Sequence, residues 1–186
     1  SKQGGTLRIG AVTPLANATI TGEVRDGLFV IDPKASPISV SVISPELTKH
    51  FQKALPMVAT FEKTREDNPL RVVFETPLEL PLDGNMDRLN GKVTFDIGTA
   101  RFGTDSWFQK LLSVSHQKTA GEVGRRMPPL KVTIDKGLVS YEPYKLPFGE
   151  FTLETAGAIN LSSTVRKVGS ATLPSRELQV LTFVPT

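Results

Sequence analysis

From Leu130 to Leu161 the chain reads LKVTIDKGLVSYEPYKLPFGEFTLETAGAINL, and apolar and polar residues alternate through most of it. Leu130, Val132 and Ile134 fall on one side and Lys131, Thr133 and Asp135 on the other; Phe151 and Leu153 against Thr152 and Glu154 repeat the arrangement. A period of two is the signature of a sheet with one dry and one wet face. The same reading predicts strands over 6–10, 18–25, 28–31, 38–43, 70–75, 78–82, 92–97 continuing towards Phe102, 130–135, 138–141, 150–155, 158–161, 164–172 and 178–184. Asp26-Gly27 and Lys136-Gly137 sit between apolar runs as hairpin turns, where glycine supplies the positive φ a tight turn demands. So many short strands, joined largely to their sequence neighbours, predict a mainly antiparallel sheet with one solvated face.

Two segments break the alternation. In SPELTKHFQKAL, Ser44 is an N-cap, Pro45 suits the first helical position, and Leu47, Phe51 and Leu55 recur every four residues. In SWFQKLLSVSH, which starts near Asp105 or Ser106, Phe108, Leu111 and Leu112 gather on one side with Trp107 one step round. Both are expected to be short amphipathic helices, the second lying across the sheet, that either close the core or flank an apolar trough. KTAGEVGRRMPP, residues 118–129, is expected to be a loop with no regular element, and EKTREDNP, residues 62–69, a polar connection. The expected fold is therefore mainly β with some α: one module, a curved antiparallel sheet with two short helices.

Composition narrows the function without naming it. At 186 residues with 39% hydrophobic and 22% charged residues, the chain has enough apolar content to fold as a single domain. A net charge of +3 is spread among acids instead of gathering into a basic stripe, so nucleic acid is not an expected partner. There is no Cys, which removes disulfides and thiolate metal sites and leaves the compartment open. No stretch approaches the ~20 apolar residues of a spanning helix. The first residue is not Met, and the chain reads as a piece of a longer protein.

Candidate chemistry is sparse. His50 and His116 stand apart, without the spacing that puts two ligands on one helix face, so no metal site is expected. Ser115-His116-Gln117-Lys118 matches S-x-x-K but lacks the companion motifs of serine-lysine enzymes. Gly121 to Arg126 lacks the Lys-Ser/Thr ending of a phosphate loop and reads as a basic turn whose arginines are solubilising or touch an anionic head group. The carboxylates of Asp83, Asp87, Asp96, Asp135, Glu142 and Glu150 are spread over turns and outward strand positions. A sugar-binding β-domain using such acids with Trp107, Tyr141 and Tyr144 is a minor alternative. The sequons at Asn17 and Asn160 decide nothing.

Two stretches together, residues 76–102 and 127–161, resemble the C-terminal region of AsmA-like proteins. The shared pattern is G-x-V-x-Y after a turn, here Gly137-Leu138-Val139-Ser140-Tyr141. It continues as L-P-x-G-x-F-x-L-x-T-x-G, here Leu146 to Gly157, and an I-x-L strand, here Ile159-Asn160-Leu161. The resemblance covers about half the chain and rests on turn glycines and alternating strand residues. It implies a periplasmic β-rich part of an envelope protein tethered to the inner membrane, related to bridge-like lipid-transport proteins, with an apolar groove for acyl lipid and no catalytic residues or cofactor. The groove candidates are Val93, Phe95, Ile97, Trp107, Phe108, Leu111, Val132, Ile134, Phe151 and Leu153. The expected partners are phospholipid or another acyl lipid, neighbouring envelope proteins and the remainder of the chain itself. The alternative expectation is a structural or interaction β-domain whose core is filled by its own side chains.

Overall fold

A computed structural model describes residues 5–13, 16–42, 61–62, 68–102, 125–148, 151–162, 166–168, 171–173 and 177–185. The strands are β1 (Gly5–Val12), β2 (Ala16–Arg25), β3 (Leu28–Ile31), β4 (Ile38–Val40), β5 (Phe61–Glu62), β6 (Leu70–Phe74), β7 (Leu78–Pro81) and β8 (Gly91–Asp96). They continue as β9 (Thr99–Phe102), β10 (Arg125–Arg126), β11 (Leu130–Asp135), β12 (Leu138–Phe148), β13 (Phe151–Asn160), β14 (Arg166–Val168), β15 (Ala171–Leu173) and β16 (Glu177–Pro185). The one helical turn among the described residues is a 3-10 turn at Met86–Arg88, capped by the Asn85 side chain. Both expected amphipathic helices, 44–55 and 105–116, lie outside the described residues.

Eleven strands form one antiparallel sheet in the order β16-β13-β12-β11-β8-β6-β4-β2-β3-β7, with β1 paired to β2 as the eleventh. The sheet is not closed into a barrel. It nevertheless doubles back: Glu79 in β7 and Asn90, the residue before β8, exchange backbone hydrogen bonds of 2.8 and 3.3 Å. The other edge of β2 is shared, with β4 on Ala16–Ala18 and β3 on Gly22–Arg25. Between those strands the buried Ser36 hydroxyl stands in for a strand partner, accepting from the Thr21 N–H at 2.9 Å and donating to the Thr21 carbonyl at 3.1 Å.

Local sequence explains the joints. Both hairpin turns carry positive φ at both central residues, 51° and 74° at Asp26-Gly27 and 48° and 78° at Lys136-Gly137, which matches the right-handed twist of the strands they join. Gly22 is required by close approach, since a Cβ there would sit 2.4 Å from the Val30 carbonyl oxygen.

Several sequence expectations need correction. The run from Lys92 to Phe102 is two strands, because Gly98 at φ 71° turns the chain and sends β9 into a separate sheet of order β10-β9-β5. The two strands expected at 150–155 and 158–161 are one, β13 over Phe151–Asn160: Ala156-Gly157 is no break, because the Tyr141 ring lies over Gly157 from the neighbouring strand. The strand expected at 138–141 extends to Phe148 through a register shift between Tyr141 and Tyr144. That bulge lets two tyrosines three residues apart stay on one face. Residues 166–168 and 171–173 are a two-stranded hairpin instead of one strand, and Arg125-Arg126 is a short strand on β9 where no element was expected.

Candidate functional site

The apolar face begins where the alternation predicts it. In β11 Leu130 and Val132 are buried and Ile134 half-buried, while Lys131, Thr133 and Asp135 are exposed. Register then carries that face sideways: Leu130 opposes Phe95 and Val132 opposes Val93 on one flank, and Val132 opposes Tyr141 on the other. Directly opposed residues in an antiparallel pair share a side, so one continuous face crosses β8, β11 and β12.

Two clusters of buried side chains occupy it. One joins Phe29, Ile31, Phe74 and Val93, with Ile20, Val24, Ile38, Leu78, Leu80 and others packed against it, and so draws on β2, β3, β4, β6, β7 and β8. The other joins Leu70, Ile97, Ala100, Met127, Leu130, Val132, Tyr141, Tyr144 and Leu146. Of the ten groove candidates, Val93, Ile97 and Val132 retain only 6%, 0% and 5% of their exposure, and Phe95 and Ile134 pack against these clusters half-buried. Phe151 and Leu153 stand in β13 opposite Phe148 and Leu146 in backbone register. Trp107, Phe108 and Leu111 lie outside the described residues.

Polar groups inside the face are satisfied. The Tyr144 hydroxyl donates to the Pro128 carbonyl at 2.8 Å, and burial pushes its phenol pKa well above the usual range. The Tyr141 hydroxyl and the buried Thr155 hydroxyl share a 3.2 Å hydrogen bond. These tyrosines are packing residues with anchored tips, not free sugar-stacking platforms.

At the turn end of the sheet a polar junction, which sequence reading did not single out, locks the two halves together. The Asn90 side chain donates to Glu79 Oε2 and to the Arg88 carbonyl, each at 3.1 Å, and accepts from the Lys136 N–H at 2.9 Å. Arg88 donates to the Asp26 carbonyl at 2.6 Å and pairs with Asp83 at 3.4 Å. Hydrogen bonds from the Asn85 backbone, aided by Arg88, hold the exposed Asp83 carboxyl below its ordinary pKa. Ser162 reaches Asp87, and a Cβ on Gly137 would fall 2.5 Å from the Met86 carbonyl oxygen, so the β11–β12 turn is wedged against the 3-10 turn. The density of Asx residues from Asp83 to Asn90 is the signal that marks this junction in the sequence.

As for reactive chemistry, no group of three or more His, Asp or Glu side chains among the described residues is placed to hold a metal ion. His50, His116 and the Ser115–Lys118 motif lie outside those residues. Arg126 is committed to an ion pair with Asp96 at 2.8 Å. Among the described residues, two shallow clefts stand out. One of about 310 Å³ touches Lys34, Ser36 and Arg71, and one of about 280 Å³ touches Glu23, Arg25 and Asp32. Both mix charged side chains with apolar ones, Ile38, Val72 and Val73 in the first and Val30 and Ile31 in the second. No helix among the described residues is long and apolar enough to cross a membrane. No protein-family model, no curated protein and no solved structure matches this chain.

Proposed function

We propose that this chain is a non-catalytic structural module of an AsmA-like envelope protein, acting in the periplasm, in which the apolar face of a curved sheet is filled by the protein's own side chains. One observation carries the reading. Of the described groove candidates, Val93, Ile97 and Val132 are buried against protein neighbours from β3, β6, β11 and β12, and Phe95 and Ile134 pack half-buried against the same clusters. Opening that face would expose several large apolar side chains at ~1.5–3 kcal/mol each, a cost a stable module avoids by keeping them packed.

A second reading is a lipid-handling groove, with the segments at 44–55 and 105–116 as amphipathic helices flanking it. It is favoured by the continuity of the apolar face across β8, β11 and β12 in a sheet that is not closed. Native mass spectrometry of the chain purified from an envelope extract separates the two. The structural reading expects the bare 20.2 kDa mass and Trp107 fluorescence that brominated phospholipid leaves unchanged. Co-purified phospholipid, together with quenching that falls when Phe108 and Leu111 are made polar, overturns it in favour of the groove.

A further inference from the structure

The first strand stands apart from the rest of the sheet. All eight residues of β1 are exposed, Leu7 at 43%, Ile9 at 50% and Val12 at 80%, and among the described strands only β2 pairs with it. Its register is unbroken from Gly5 to Val12, with no bulge, no proline and Arg8 as its only charge, so it has few of the devices that normally blunt a sheet edge.

The phase of its hydrogen bonds follows from its neighbours. The Thr13 N–H donates to the Ala16 carbonyl at 2.8 Å across the β1–β2 turn, and antiparallel pairs alternate between bonded and unbonded. Ala11, Ile9 and Leu7 are therefore bonded to β2, and the backbone groups of Val12, Gly10, Arg8 and Thr6 point away from it. The other side of β2 agrees. Thr19, opposite Gly10, donates to the Pro37 carbonyl at 2.9 Å, and Thr21, opposite Arg8, accepts from the Asp32 N–H at 2.8 Å.

We infer that β1 is a homodimerisation edge, pairing antiparallel with β1 of a second copy about a two-fold axis at Ile9. Of the symmetric registers, this one alone satisfies all four outward residues in each copy: Thr6 with Val12 and Arg8 with Gly10, each twice. It sets Ile9 against Ile9 and Leu7 against Ala11 on a single side, where the residues opposite on β2 are Ile20, Gly22 and Ala18. Ile20 already packs on the inner cluster, so the apolar side of the edge continues an existing apolar face across the dimer. A shift by one step either way leaves Thr6 or Val12 unpaired, and one of those shifts puts Arg8 directly opposite Arg8. On β2, Glu23 lies diagonal to Arg8 and supplies a carboxylate to the side where the arginines gather. An interface in which each residue meets its reciprocal partner is the isologous kind that closes at two copies instead of growing into fibres.

The chain has no cysteine, so single cysteines report the register cleanly. Sedimentation equilibrium at high micromolar concentration is expected to give twice the 20.2 kDa chain mass. Ile9→Lys and Ile9→Glu, each alone, are expected to give the single-chain mass with the fold retained, and their mixture to restore the doubled mass. Ile9→Cys is expected to cross-link to itself on mild oxidation, since the facing Cα atoms of an unbonded pair lie ~4.5 Å apart. Leu7→Cys, facing Ala11, is not. A single-chain mass for the native protein overturns the inference. So does association that Ile9→Lys leaves intact, equal cross-linking of Leu7→Cys and Ile9→Cys, or slow amide exchange at Thr6, Arg8, Gly10 and Val12 in a monomer, which would mean that another segment covers the edge.

Discussion

Between β7 and β8 the sheet returns on itself through the Glu79–Asn90 bridge, whereas beyond β8 it runs on through β11, β12, β13 and β16 with no such return among the described residues. The first half buries Phe29, Ile31 and Phe74 among strands that wrap around them, with the Phe29 ring lying against Gly22 of β2. The second half lacks that geometry and relies on large side chains laid along the sheet. Tyr141 covers Gly157, and Tyr144 and Leu146 are buried beside Met127 and Leu130. Wrapping is paid for in backbone contact and flat packing in side-chain area, so the two halves should fail in different ways when altered.

The largest expected effect tests what they share. Ile31→Asp in the first half and Val132→Asp in the second each put an unpaired charge where exposure is 2% and 5%, and each is expected to cost about 3–5 kcal/mol, enough to abolish a cooperative thermal transition. Lys131→Asp and Thr133→Asp, on the exposed side of β11, are expected to stay within about 0.5 kcal/mol of the parent. Equal losses on both sides of β11 in thermal melts would mean that the second half is buried on both faces and the comparison is wrong.

The next pair separates the halves. An added methyl at Gly22 meets both backbone, the Val30 carbonyl oxygen at 2.4 Å, and the Phe29 ring, with Cε2 at 2.8 Å, whereas at Gly157 its nearest neighbours all belong to the Tyr141 side chain, with Cε1 at 2.5 Å. Backbone cannot step aside without disturbing β2 and β3 together, whereas the buried Tyr141 ring can shift at the cost of its hydrogen bond to Thr155. Gly22→Ala is therefore expected to cost about 2–3 kcal/mol and Gly157→Ala about 1 kcal/mol, within the range for overpacking. Adding Tyr141→Ala should relieve part of the second clash and none of the first. Chemical denaturation of the single variants and of each combined with Tyr141→Ala measures this, and a larger loss at Gly157 than at Gly22 would reverse the assignment of mechanisms.

How far this contrast is legible in the sequence depends on the range of the interaction. The hairpin turns at Asp26-Gly27 and Lys136-Gly137 and the faces of β11 follow from neighbours in the chain, and the expected bounds of β3 and β11 match the observed strands. The return of β7 to Asn90 does not, because strand order is decided by pairing between distant residues that leaves no mark on local alternation. The bulge of β12 did leave one: Pro143 inside a strand, with tyrosines three apart, departs from a strict period of two. Ala156-Gly157 misled for the opposite reason, since a glycine covered by a cross-strand ring looks locally like a turn. Among the groove candidates, alternation correctly picked the buried side of β8 and β11, but alternation is the same for a core and for an open trough. It is the same again for an edge strand, so β1 looked like any other.

Tyr144 gives a smaller, pH-dependent test confined to the second half. Its phenol stays protonated in the fold because burial raises its pKa, while in the unfolded chain it ionises near the ordinary value of ~10. A raised folded-state pKa means the contribution is fully present below pH ~10 and is lost progressively as pH rises past it, because the unfolded state then gains by releasing the proton. Tyr144→Phe is expected to cost about 0.5–1.5 kcal/mol at neutral pH through loss of the bond to the Pro128 carbonyl. The same variant should show a shallower decline in melting temperature above pH ~10. An alkaline decline of unchanged slope would place the titrating group elsewhere.

The smallest expected effect lies beside the joint between the halves, where Arg126 on β10 pairs with Asp96 at the end of β8. Sequence reading left Arg126 as a solubilising residue or an anion contact; its partner is instead a carboxylate of the same chain. The side chains are 58% and 30% exposed, so water and salt screen the pair, and exposed ion pairs measure ~0.2–1 kcal/mol. Asp96 also accepts from the Gly98 N–H at 3.2 Å, at the turn that sends β9 out of the main sheet. Removing the carboxylate is therefore expected to cost more than removing the guanidinium: Asp96→Ala loses both the ion pair and the turn contact, and Arg126→Ala only the first. A double-mutant cycle isolates the pair, and its coupling should shrink as sodium chloride is raised, because surface ion pairs are screened over ~10 Å at 0.1 M ionic strength. A coupling that salt leaves unchanged, or that exceeds the loss from Asp96→Ala itself, would mean that β10 is held to the sheet by a buried contact and that the joint belongs with the wrapped half instead of at its margin.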